Sequence, residues 1–142
     1  MGHVYAEITL KNVKDKEDAI DGHIREEEVR SLTIEAMVDT GATRLCISEE
    51  MCQKLGLRII ESKPGRLANH MIVTSKITEP VEVIWKNRFS HCCAGVIPGL
   101  KKPLLGVIPL EEMDLRVCPR THELAAVHDD GIEYIPTIVE DW

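Results

Sequence analysis

A carboxylate at the end of a buried strand constrains this chain more than any other feature. Residues 31–38 read Ser-Leu-Thr-Ile-Glu-Ala-Met-Val, an alternation of polar and apolar side chains. That two-residue period belongs to a half-buried β-strand. Asp39-Thr40-Gly41-Ala42 follows at once, and the tripeptide Asp-Thr-Gly occurs nowhere else in the chain. The strand therefore delivers an acid to the rim of a sheet. The hydroxyl and the glycine behind it suit a tight, hydrogen-bonded loop. Taken alone, the tripeptide also fits an ordinary turn closed by an Asx hydrogen bond.

The rest of the pattern predicts many short strands. Val4, Ala6, Ile8 and Leu10 alternate on one face of a first strand. The charged stretch Lys11 to Gly22 ends in Asp-Gly and reads as a loop without a core of its own. Strand character returns near His23 and runs to Val38, with a solvated edge or bend at 25–28. Leu45-Cys46-Ile47 is a short strand. Ser48 to Gly56 is a compact helix, capped by Ser48 and stopped by Gly56, with Met51, Leu55 and Cys52 inward. A hairpin is expected over 64–77, with its tip at Asn69-His70. A second turns at Lys86-Asn87, and a third closes around Pro119-Arg120-Thr121. Pro109 to Met113 reads as a helical turn with proline at its start. The expected fold is an all-β closed barrel with one or two short helices. It would span residues 1–128, followed by an acidic tail at 129–142.

Composition narrows the function classes. Hydrophobic residues make up 44% of the chain and aromatics only 4%, so the core must be mainly aliphatic. A net charge of -7 without a basic stripe argues against a nucleic-acid surface. No apolar run approaches the ~20 residues needed to cross a bilayer, and the N-terminus has no export pattern. The expectation is a soluble, cytoplasmic protein with no membrane partner. Five cysteines at irregular spacing suggest reduced thiols rather than a disulfide framework. His91, Cys92, Cys93, Cys118 and His122 offer soft donors, as do His122, His128, Asp129 and Asp130. Alternation sends Cys92 and Cys93 to opposite faces of a strand, and buried thiols and a solvated tail are the stronger readings. No metal or cofactor is expected.

Four segments in order carry a resemblance. They are Val38 to Thr43, the helix end Lys54-Leu55-Gly56-Leu57, Arg66-Leu67-Ala68-Asn69, and Leu104-Leu105-Gly106-Val107-Ile108-Pro109-Leu110. Together they resemble the retropepsin-like (retroviral-type) aspartic peptidases, and small single-domain cellular members in particular. The likeness covers roughly residues 1 to 127.

The resemblance implies an aspartic endopeptidase acting on polypeptides. Two carboxyls about 3 Å apart cannot both ionise cheaply, so they share one proton; aspartic proteases are the standard example of this. The ionised carboxyl takes a proton from water, and the protonated one polarises the scissile carbonyl. This chain supplies one such acid, so the resemblance implies a homodimer with Asp39 from each copy on a two-fold axis. Thr40 would then bond across to the partner loop. Gly41 would lend a backbone N–H, and Ala42 would leave room for substrate. Leu104, Leu105 and Gly106 would support the loop. The hairpin tip, Ala68, Asn69 and His70, would be a flap over substrate. It is not glycine-rich as in viral members. The alternative is a catalytically silent module of the same fold that grips extended peptides without cutting them.

Overall fold

The computed structural model describes residues 3–66 and 70–128. Ala68 and Asn69, two of the three residues of the expected flap tip, lie outside the described residues, as does the tail at 129–142.

Nine strands and three short helices are found among the described residues. Strand β1 (Val4–Asn12) buries every second residue, as its alternation requires. It pairs antiparallel with β2 (Ser31–Val38), from Val4 opposite Val38 to Lys11 opposite Ser31. Beyond them come β3 (Cys46–Ile47), β4 (Ile59–Arg66), β5 (Ile72–Trp85), β6 (Arg88–Val96) and β7 (Leu104–Leu105). These seven form one sheet in the order β1-β2-β7-β3-β6-β5-β4. Strand β5 also pairs with β1, bringing the sheet back upon its first strand. The last hairpin, β8 (Leu115–Cys118) with β9 (Glu123–Ala126), makes a separate two-stranded sheet. The architecture is thus mostly β, with a few short helices.

The prolines obey the ladder. Pro64 sits in β4, at the end of the sheet order, where one side of the strand needs no donor. Pro80 falls at the irregularity between Ile77 and Pro80 in the β5–β6 register. The turn between β5 and β6 places Lys86 at φ 52, as a two-residue hairpin demands.

The core is aliphatic. Ile8, Leu10, Leu45, Ile47, Leu55, Leu105, Val81 and Val83 are its largest fully buried aliphatic members. Helix α2 (Glu49–Lys54) caps as expected, with Ser48 Oγ accepting from Met51 N at 3.1 Å. Met51, Cys52 and Leu55 are all buried, and Gly56 takes φ 63 to end the helix. Helix α3 (Val107–Glu112) starts two residues earlier than expected, so Pro109 lies inside its first turn rather than opening it.

Two expectations need correction. The stretch after Lys11 is not a loop: β1 continues to Asn12, and Val13–Ile20 is helix α1, so the helices number three rather than one or two. Its cause is a capping residue. Asn12 Oδ1 accepts from Asp15 N at 3.0 Å, while Asn12 Nδ2 donates to the Leu55 carbonyl at 2.8 Å. The second correction concerns the run from His23. It is not continuous strand, because Glu26–Glu28 form an exposed 3-10 turn and β2 begins at Ser31.

Candidate functional site

Asp39 stands one residue beyond β2, half-buried at the sheet rim. Its backbone is held from below. Strand β7 runs parallel to β2, with Met37 opposite Leu104 and Val38 opposite Leu105. Asp39 N donates to the Leu105 carbonyl at 3.0 Å, continuing the ladder one step past the strand. Met37 N reaches the Pro103 carbonyl at 2.9 Å. Leu104 also touches the far side of the loop, opposite Cys46 of β3.

The loop closes on itself. Ala42 N donates to the Asp39 carbonyl at 3.1 Å, and Gly41 N donates to Asp39 Oδ1 at 2.9 Å. The second contact is the Asx-type bond that an ordinary turn would also make. It aims the carboxylate and leaves its other oxygen for contacts beyond the loop. Thr40 and Gly41 are exposed and Ala42 is half-buried.

The start of α3 completes the platform. Val107 N donates to the Ala42 carbonyl and Ile108 N to the Thr43 carbonyl, both at 2.9 Å. These N–H groups belong to the first turn of α3, where no partner within the helix exists. Gly106 lies between the two layers. A Cβ there would sit 2.6 Å from the Ala42 carbonyl oxygen, 2.8 Å from Arg44 N, and closer still to the Arg44 carbonyl. Only glycine lets β7 and the Asp39 loop approach this closely. Leu104-Leu105-Gly106 and Asp39 to Ala42, far apart in sequence, are therefore one hydrogen-bonded unit.

His70, the described part of the expected flap tip, is exposed with φ 67. This is a left-handed conformation that histidine rarely adopts. The other candidates do not gather. Cys92 is pushed up to about 12, chiefly by burial and also by Glu112. Among the described residues, no group of three or more His, Cys, Asp or Glu is placed to hold a metal ion. No helix of the described residues is long and apolar enough to cross a membrane.

Residues 26–112 match the model of a family described as gag-polyprotein putative aspartyl protease. The chain belongs to this aspartyl protease family. Its fold is shared with solved retropepsin-like structures. One is a retropepsin-like aspartic protease from Rickettsia conorii, with TM-score 0.55 and 24% identity over 82% of this chain and 77% of that one. Another is the retroviral protease-like domain of Ddi1 from Leishmania major, with TM-score 0.57 and 13% identity over 94% and 92%. No curated protein matches the chain. The family match contains both Asp39 to Ala42 and Leu104 to Gly106.

Sequence reasoning missed the part of the platform made by backbone. The Pro103 carbonyl and the Val107 and Ile108 N–H groups carry no side-chain signature. The one readable sign was proline and glycine flanking two leucines, Pro103-Leu104-Leu105-Gly106, ahead of a helix start.

Proposed function

We propose that the chain is an aspartic endopeptidase whose active site forms between two copies. Each protomer supplies one Asp39 carboxyl, and the pair activates a water against a peptide bond. One observation carries this reading. Asp39 is a half-buried carboxylate on a backbone fixed from two layers, yet it forms no ion pair among the described residues. Such an acid is held in position but not neutralised, as a proton-sharing pair requires. The exposed Thr40 hydroxyl fits a bond to the partner loop. The sheet's return through β5 to β1 supports a closed barrel in each protomer. The hairpin of β4 and β5, for which Ala68, Asn69 and His70 are the proposed tip, would cover an extended substrate.

The test is Asp39→Asn, assayed on a library of extended peptides from acidic to neutral pH. The substitution should lower cleavage by about a thousandfold or more while the protein stays folded and dimeric. Specific activity of the unaltered chain should also fall on dilution, as the shared site separates. An Asp39→Asn protein that cuts normally sinks the mechanism. Binding of a statine-type peptide by the unaltered chain, with no cleavage of any library member, would favour the silent peptide-binding module.

A further inference from the structure

Arg44 lies five residues past Asp39, on the segment that carries the loop into β3. Its backbone is part of the site platform, since its N and O both crowd Gly106. Its aliphatic stem lies across Gly95 of β6, with Cδ 3.6 Å and Cγ 4.0 Å from where a Cβ would be. A Cβ at 95 would meet this stem in ordinary van der Waals contact. The side chain is half-buried.

The charge at its end is the anomaly. Among arginines whose side chains are described, Arg25, Arg30, Arg58 and Arg88 each pair with a carboxylate. Arg116 and Arg120 stand in solvent. Arg44 alone is half-buried without an ion pair among the described residues. Its charge and that of Asp39 both reach the Cys46 thiol: burial raises that group, Arg44 opposes the rise and Asp39 adds to it. Arg44 thus shares the Asp39 loop segment, and no ion pair joins it to Asp39 among the described residues. A guanidinium with five donors and no carboxylate partner among the described residues can take a planar anion arriving from outside.

We propose that Arg44 selects an acidic side chain, Asp or Glu, in an extended polypeptide bound across the Asp39 loop. This rests on the peptidase reading of that loop and adds the chemistry of one substrate position to it. The whole chain carries a net charge of -7, which repels acidic peptides at long range. A preference for Glu at one position must then come from a local contact.

The experiment uses decapeptides with two large apolar residues at the centre and Glu, Gln or Lys at one flanking position at a time. Cleavage is measured with the unaltered protein, and binding by calorimetry with Asp39→Asn. At one flanking position Glu should be preferred over Gln by on the order of tenfold. Arg44→Met, which keeps the stem over Gly95, should abolish that ratio. Arg44→Glu should turn the preference towards Lys. Arg44→Lys, a point charge without the planar fork, should retain part of the ratio; it serves if the Met variant fails to fold. Equal use of Glu and Gln at every position, or a Glu preference that survives Arg44→Met, overturns the proposal. Arg44-dependent binding with no cleavage of any peptide overturns the peptidase reading and leaves the Arg44 assignment standing. Neither binding nor cleavage overturns both.

Discussion

Asp39 and Asp114 are two aspartates at the ends of secondary-structure elements, and their surroundings are opposites. Asp114 is buried, with φ 57, between α3 and β8. Its carboxylate accepts from His128 N at 3.0 Å, meets His128 Nδ1 at 2.6 Å and faces Arg88 Nη1 at 3.4 Å. Arg88, itself buried, also donates to the Met113 and His128 carbonyls, at 2.8 and 2.5 Å. This cluster pins the end of the last hairpin to the sheet. Asp39 accepts one bond from its own loop and meets no cation among the described residues. The same contrast holds for Asp15, Glu79 and Glu82, each tied to Arg30, Arg58, or Lys16 and His91. Carboxylates that hold the fold together are neutralised within the chain. The one at the sheet rim meets no cation among the described residues.

The sharpest way to break this comparison is to neutralise each aspartate in turn. Asp39→Asn should leave the unfolding midpoint nearly unchanged while removing about three orders of magnitude of activity. A large loss of stability instead would make Asp39 a structural acid like the rest.

Asp114→Asn should do the reverse. Asn tolerates the left-handed backbone, so the change isolates the charge. It leaves Arg88 buried without its counter-ion, which costs about 3 kcal/mol. Acid should act in the same direction. Burial opposes the charge on Glu79, Glu82 and Asp114. Bonds from Arg58, from Lys16 and His91, and from His128 and Arg88 nonetheless hold these groups below their ordinary values. The Arg30 bond does the same for Asp15, against its burial. Folded-state values below the unfolded ones mean that this stability is complete above the ordinary 3.8 and 4.5 and drains away as pH falls through the lowered values. Urea unfolding from neutral pH into that range should show midpoints falling steadily, and less steeply in Asp114→Asn. A flat profile would separate these pairs from stability.

A medium effect is expected at Asn12, and it shows where the sequence was silent. Asp39-Thr40-Gly41 and Leu104-Leu105-Gly106 were legible because their chemistry is written in adjacent residues. The capped helix α2 was legible for the same reason. Helix α1 was hidden by its charge-rich composition. Its warrant lies in distant contacts: Asn12 Nδ2 to the Leu55 carbonyl, and Asp15 to Arg30. A local signal exists in Asn12 with an acid three residues on, the pattern of a helix start, but the reading of 11–22 as a loop rests on its charge and its terminal Asp-Gly. The carboxylate–cation pairs span separations that no local pattern encodes, 66 residues for Lys16 and Glu82. Asn12→Ala removes a cap and strands a buried carbonyl, so a loss of about 2 kcal/mol is expected by chemical denaturation. A loss below about 0.5 kcal/mol would mean that α1 forms without its cap.

The smallest effect should come from a surface ion pair on β2, the strand that leads into Asp39. Glu35, on β2 four residues before Asp39, meets Lys102 Nζ at 2.5 Å. That ammonium also lies 5.3 Å from the Tyr5 ring. The bond is short, but both side chains are about half exposed, at 55% and 47%. Water and salt screen such a pair, and holding two long side chains in register costs entropy. Glu35→Gln should therefore shift stability by less than about 0.5 kcal/mol, with no change in peptide cleavage. If activity fell with it, β2 would be positioned by its surface charges. Unchanged activity is expected because the backbone ladder to β7 and the glycine contact beneath it position the end of β2.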